Sequence, residues 1–210
     1  LKDWWKDNGS SIVTGIVLGL AVLFGVKAWF AYQERTAQNA SNVYMMMMNA
    51  METGDAELVT ERAGLLISEF SRTPYAVFAA LALAKQKLGE GELEAAKAQL
   101  QWALDNSGSG VSRDIARLRL ARVLVARGEL DAAGQLLDQA APDSGFDALY
   151  TEVRGDIHAA RGEPVLASDA YQQALDATAQ GAPGRQLLQL KYDNFSGRVA
   201  SATATAETTQ

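Results

Sequence analysis

His158 is the only histidine in a 210-residue chain that contains no cysteine. It stands in the stretch DIHAAR, two residues after Asp156. An imidazole beside a carboxylate is a working unit of general acid–base catalysis, and any Ser-His-Asp arrangement here would have to be built around this one ring. Side chains that face each other on a helix are three or four residues apart, which Asp156 and His158 are not. A packed or surface histidine is therefore expected in place of a general base. Without cysteine there is no thiol nucleophile, disulfide framework or thiolate zinc site, and one histidine excludes a histidine-rich metal site.

Other chemistry-bearing stretches also have simpler readings. Met45–Met48, followed by Met51, could in principle offer thioethers to copper, but such a site needs spaced sulfurs with histidine support. Consecutive methionines point all round a helix, so packing on more than one side is expected; an adaptable apolar contact surface is the alternative. The glycine-rich GEGE (89–92) and SGSG (107–110) lack the Lys-Ser/Thr of a phosphate loop and read as turn and linker. Arg113, Arg117, Arg119, Arg122 and Arg127 lie along one helix but spread around it. They read as a solvated face, with an acidic partner or lipid headgroups as the alternative. No enzyme and no cofactor is expected.

Charge narrows the partners. Residues 1–32 carry a net +1, whereas the remainder holds 16 Lys or Arg against 23 Asp or Glu, a net −7. An acidic body excludes non-specific nucleic-acid binding, which requires cations against phosphate.

The positioning elements begin with GSSIVTGIVLGLAVLFGV, Gly9–Val26, which has no charged residue. Ten of the fifteen residues from Ile12 to Val26 are Ile, Val, Leu or Phe, contributing roughly −3 to −6 kcal/mol to membrane insertion. Trp4 and Trp5 precede the stretch and Trp29, Phe30 and Tyr32 close it, as interfacial aromatics do. Lys27 is near enough to the end to snorkel. A cleaved signal has a shorter apolar core and a small-residue cleavage site, whereas the nearest candidate here contains Lys27. A retained transmembrane helix is expected over 12–32, after a juxtamembrane segment at 1–11. Gly15 and Gly19, with Ala21 and Gly25, have the small-xxx-small spacing that lets membrane helices approach closely, though glycine is common in such helices anyway. The positive-inside count is a tie. The chain opens on Leu1, and a short leading segment is expected before it.

No Gly or Pro interrupts Val26–Thr53, so one helix is expected to leave the membrane and stop at Gly54. Residues 33–74 are read as this linking helix with a partial repeat whose turn is Gly54. Beyond Pro74 the chain repeats itself. LAKQKLGEGELEAAKAQLQWAL (83–104), LARVLVARGELDAAGQLLDQA (120–140) and RGDIHAARGEPVLASDAYQQAL (154–175) align on Gly91, Gly128 and Gly162, spaced 37 and 34 apart. Five residues after each comes Ala96, Ala133 or Ala167; then Leu100, Leu137 or Tyr171; then Ala103, Ala140 or Ala174. Small residues let paired helices touch, and the large one fills the gap to the next hairpin.

This pattern resembles the tetratricopeptide repeat, with Ala84, Ala121 and Gly155 at the small first-helix position but without that repeat's usual first-helix Trp and Tyr. The expected fold is all-α: an N-terminal transmembrane helix, then a helical-hairpin solenoid over 75–195 closed by a capping helix at 184–195, then a disordered tail at 196–210. By resemblance the first helices line an inner groove. Its residues here are Phe78, Leu81 and Lys85, then Ile115, Leu118 and Arg122, then Leu149, Glu152 and Asp156. Such an apolar strip, basic at one end and acidic at the other, suits a polypeptide segment; burial of one of the protein's own helices is the alternative.

An anchor followed by three divergent repeats is similar to the YfgM family of bacterial inner-membrane proteins. The stretches that carry the likeness are LKDWWKDNG, TPYAVFAALALAK (73–85), ARLRLARVLVARGELDAA (116–133), VRGDIHAARGEPVLASDAY (153–171) and LLQLKYDNFS (187–196). The resemblance implies a single-pass protein with a periplasmic repeat domain. It also implies association with Sec translocon subunits and a membrane-bound periplasmic chaperone, a part in passing unfolded secreted chains to folding factors, and a cytoplasmic role towards a stress-response regulator. It brings no catalytic motif. A membrane scaffold that self-associates without binding clients is the competing expectation.

Overall fold

The computed structural model describes the backbone of residues 2–108, 110–142 and 144–207 and the side chains of residues 14–15, 17–108, 110–142 and 144–199. Among the described residues every regular element is an α-helix. The chain forms two compact units, Leu1–Tyr75 and Ala76–Gln210.

The first unit is a long helix with a short one folded back on it. Helix α1, Lys2–Thr53, is 52 residues long, about 78 Å at 1.5 Å per residue. Its length follows from the lack of proline and of any glycine at a terminating position after Val26. Residues 2–11, expected as a juxtamembrane segment, are its first turns. Among the described residues no helix is long and apolar enough to cross a membrane. The expected span of 12–32 is not supported on that criterion; the side chains of Ile12, Val13 and Ile16, which belong to it, lie outside the described residues.

Helix α2, Ala56–Glu69, packs on α1 through Val59, Ala63 and Leu66, while Ala40, Met47 and Ala50 are the buried residues of α1. The Asp55 carboxylate accepts the Leu58 N–H at 3.0 Å, satisfying one of the helix's unpaired first-turn donors. The methionine run divides. Met47 is fully buried, but Met45 and Met46 are 67% and 55% exposed. Packing on several sides, the expected reading, is overturned: α2 covers one stripe of α1, and of the four only Met47 points into it.

The second unit is a row of helix hairpins: α3 (Pro74–Gly89) with α4 (Leu93–Asn106), α5 (Val111–Ala126) with α6 (Leu130–Asp138), and α7 (Asp147–Arg161) with α8 (Pro164–Ala177). Helix α5 packs on α4, α6 and α7, and the row ends with α9, Arg185–Glu207, against α8. The hairpin turns share one geometry. Gly91 has φ +78°, Gly128 +76° and Gly162 +75°, the left-handed region that glycine enters cheaply. The N–H after each glycine donates back to the helix just ended at 2.9 Å: Glu92 to Lys87, Glu129 to Leu124 and Glu163 to His158. The glycine N–H groups themselves donate to Leu88, Val125 and Ala159, completing Schellman closures. Each acidic residue's carbonyl then accepts from Ala96, Ala133 or Ala167 at 3.0 Å, opening the second helix, and all three alanines are fully buried. Gly54 repeats the device, with φ +76° and Asp55 N–H donating to Ala50 at 2.9 Å.

The small–large–small positions are core. Ala96, Leu100, Ala103, Ala133, Leu137, Ala167, Tyr171 and Ala174 are all buried. Ala140 is the exception: α6 stops at Asp138 and Ala140 is half-buried. Pro142 is close by, and proline disfavours the helical conformation in the residue before it. Two further expectations change. The end of the chain, 196–210, is expected to be disordered, yet α9 runs on to Glu207; residues 208–210 lie outside the described residues. The arginine run is not one solvated face. Arg117 is 5% exposed and donates to Asp114 at 3.1 Å, Arg113 bonds the Ser107 carbonyl, and Arg127 pairs with Glu94 and Glu129.

Candidate protein-binding groove

The first helices α3, α5 and α7 position all nine residues expected to line a groove, but not all of them line one. Leu81 and Leu118 are 7% and 6% exposed and belong to the core, with Ile115 half-buried beside them on α5. Phe78 and Leu149 are partly exposed on α3 and α7. Helical period explains the split: positions spaced by three and four drift around the axis, and the expected residues straddle the core edge.

The remaining residues gather at two clefts that share Arg122. The first, about 370 Å³, lies among α3, α4 and α5. Its floor holds Ala84, Leu100 and Val123, with Leu88 and Ala126 at the edge, and Lys85, Arg119 and Arg122 project around it. The second, about 580 Å³, lies among α5, α7 and α9 and is lined by Leu149, Glu152 and Asp156 from the expected set.

The acidic end of the groove is taken up by the protein itself. Lys191 of α9 donates to Glu152 at 2.7 Å and to both Asp156 oxygens at 2.7 and 2.9 Å. Tyr171 Oη donates to the same Asp156 carboxylate at 2.8 Å. Arg122 Nη2 approaches the other Glu152 oxygen at 3.4 Å. Helix α9 is seated by Leu188, Tyr192 and Phe195 against the Tyr171 cluster, and Arg185 donates to the Leu175 and Thr178 carbonyls that end α8, both at 2.5 Å. Burial pushes the Tyr171 hydroxyl above its ordinary pKa, and the Asp156 carboxylate adds to this. The phenol therefore acts as a donor throughout the physiological range.

A second polar group is buried between α5 and α7. Tyr150 Oη donates to Asp114 Oδ1 at 2.9 Å, and Arg117 donates to the same oxygen. Burial, then the bond to Asp114, pushes the Tyr150 hydroxyl up to about 12. This cluster joins two repeats.

His158 Nδ1 lies 2.6 Å from Glu163 Oε2, across the Gly162 turn. The pair closes on the same turn as the backbone bond from Glu163 N–H to the His158 carbonyl, so its geometry is that of a hairpin clasp. On α1, Gly15, Gly19, Ala21 and Gly25 are exposed, and a β-carbon added at any of the three glycines meets nothing within 4 Å.

Sequence reasoning missed Leu88, Arg119, Val123 and Ala126 in the first cleft and Lys191 in the second. The first group had a signal: Arg119, Val123 and Ala126 run i, i+4 and i+7 along one face of α5, and Arg122 borders that face at i+3 from Arg119. Lys191 had none, because it meets Asp156 across 35 residues of chain.

A family model described as a tetratricopeptide repeat-like domain matches residues 2–197. The chain is 34% identical to an ancillary SecYEG translocon subunit of Haemophilus influenzae, covering 93% of this chain and 94% of that protein. It is 29% identical to the protein of the same description from Escherichia coli, over 93% of each chain. It is 27% identical to one from Neisseria gonorrhoeae, over 92% of this chain and 93% of that one. No solved structure matches. A family match over residues 2–197 and a likeness to these relatives over more than nine-tenths of the chain leave one assignment: the chain belongs to the tetratricopeptide repeat-like family, within its YfgM branch.

Proposed function

We propose that this chain is a membrane-anchored protein-interaction module, ancillary to the SecYEG translocon, that links it to a membrane-bound periplasmic chaperone for secreted or outer-membrane proteins. The observation that carries the reading is the likeness, over 93% of the chain, to proteins described as ancillary SecYEG translocon subunits. Two features support it. Val17, Leu18, Val22, Leu23 and Phe24 are all more than half exposed on α1, a concentration of apolar surface that water does not favour and lipid does. The clefts between first helices are concave, apolar-floored and bordered by charge, which suits polypeptide segments.

In this reading the stretch 12–32 is the single membrane span of an inner-membrane protein. Gly15, Gly19, Ala21 and Gly25 contact another membrane helix, and the repeat domain lies in the periplasm. Site-specific photocrosslinking from Gly15, Gly19 and Arg122 in intact membranes tests the partners: SecYEG and chaperone adducts are expected, and adducts to lipid or to the chain itself alone overturn the reading. Protease protection on sealed inner-membrane vesicles tests the side of the membrane. A chain that leaves the membrane in alkaline carbonate removes the anchor.

The exposure of Met45 and Met46 supports a second reading, a scaffold that self-associates along α1. Sedimentation of the full chain in detergent separates the two, since a strict monomer excludes the scaffold.

A further inference from the structure

Resting on the interaction-module reading, we propose that the cleft among α3, α4 and α5 receives a polypeptide segment that presents an apolar side chain flanked by carboxylates. Three observations lead there. The chain carries a net charge of −6, yet the cleft is lined by three cations, Lys85, Arg119 and Arg122, and by no carboxylate. Its other lining residues are apolar, and Leu88 and Ala126 stand exposed at its edge. Among the described residues Lys85 and Arg119 form no ion pair.

The neighbouring acidic stretch explains why the selectivity is one-sided. Glu152 and Asp156 would attract a basic segment, but both already accept from Lys191 at 2.7 Å, and Arg122 approaches Glu152 at 3.4 Å. The acidic end of the groove is thus partnered within the fold, whereas the lining of the first cleft is cationic. Arg122 is the hinge between the halves. Its contact to Glu152 is 3.4 Å, longer than the 2.7 Å bond from Lys191 to the same carboxylate, and the Arg122 side chain is 44% exposed. A guanidinium has five donors, so Arg122 can take an incoming carboxylate while Glu152 stays satisfied by Lys191. Arg119 and Arg122 are three residues apart and face the same way on α5. Together with Lys85 across the apolar floor, they border a surface where one buried apolar side chain brings its acidic neighbours against cations.

The test is fluorescence anisotropy with the full chain purified in detergent. The probe is a labelled synthetic peptide rich in Glu and Leu, compared with peptides of Lys and Leu and of Glu and Ser. The Glu/Leu peptide alone is expected to bind well, and more weakly as salt is raised from about 50 to about 500 mM, as screening requires. Replacing Lys85→Gln, Arg119→Gln and Arg122→Gln together is expected to weaken binding about tenfold or more, while Arg72→Gln, at a residue outside the cleft lining, leaves it unchanged. Ala126→Trp, which fills the cleft without altering charge, is a second variant in case the triple one fails to fold. Absent binding by folded protein, equal binding of the Lys/Leu peptide, indifference to both cleft variants, or displacement by short-chain phosphatidylglycerol but not by unlabelled peptide overturns the proposal. Co-purification of SecYEG with the unaltered chain is scored separately. If the translocon is recovered and the peptide does not bind, this cleft assignment falls and the interaction-module reading stands. If the translocon is not recovered, that reading falls whatever the peptide does.

Discussion

The Tyr171 ring occupies the space that a β-carbon on residue 155 would need: an added carbon at Gly155 would sit 2.5 Å from Cε1 and 2.6 Å from Cδ1. The other repeats have Ala84 and Ala121 at that position and Leu100 and Leu137 in place of the tyrosine. The third repeat has exchanged a methyl group on one helix for a ring on the other. Gly155→Ala is expected to destabilise the protein by about 1–3 kcal/mol through overpacking. Urea unfolding should also show that Gly155→Ala with Tyr171→Leu costs less than the two single changes added together.

The buried cluster of Asp114, Arg117 and Tyr150 sets a second expectation. Asp114→Ala leaves the Arg117 guanidinium, 5% exposed, without its carboxylate. Removing one member of a buried ion pair costs about 3–5 kcal/mol. Tyr150→Phe removes one neutral donor to a charged acceptor and should cost about 1–2 kcal/mol. Denaturant midpoints for the two variants rank the groups, and a negligible effect of Asp114→Ala would show that the pair is not formed.

Alkaline pH probes the same tyrosines. Both Tyr150 and Tyr171 are held neutral by burial, with the carboxylates of Asp114 and Asp156 adding to it. A raised hydroxyl pKa means that the folded state holds its proton more tightly than the unfolded chain does. This stabilisation is complete below about pH 10, the ordinary tyrosine value, and is lost as pH rises towards about 12. Melting temperatures should fall through that window. Absorbance at 295 nm should show Tyr150 ionising above the ordinary tyrosine range, a step that Tyr150→Phe removes, and the same change should flatten the decline in melting temperature.

Lys191 secures the capping helix. Lys191→Ala leaves Glu152 and Asp156 adjacent, with Arg122 at 3.4 Å as the remaining cation. Like charges that lose their common partner repel, so α9 should loosen from α8. Limited proteolysis is expected to cut the chain between Ala177 and Arg185 faster in this variant, while the hairpins before it keep their resistance.

His158→Gln tests for hidden chemistry. The pair with Glu163 is partly exposed, with side chains 29% and 41% accessible, and such pairs contribute about 0–1 kcal/mol. Stability should change little, and function in a membrane assay should be unchanged.

Much of this architecture is local and can be read from the chain. Gly91, Gly128 and Gly162 mark the hairpin turns because a left-handed residue is required where one helix stops and the next begins, and few residue types supply it. The five-residue step from each glycine to an inward alanine follows from the same turn. The long uninterrupted α1 follows from the absence of breakers. Tertiary structure decided what depends on distance along the chain. Whether Met45–Met48 are core turns on how wide a stripe α2 covers, and whether Leu81 and Leu118 line a groove or a core turns on where neighbouring helices cross. Lys191, 39 and 35 residues away in the chain, decided that Glu152 and Asp156 are partnered within the fold. Helical periodicity says which residues share a face, but only packing says what that face meets.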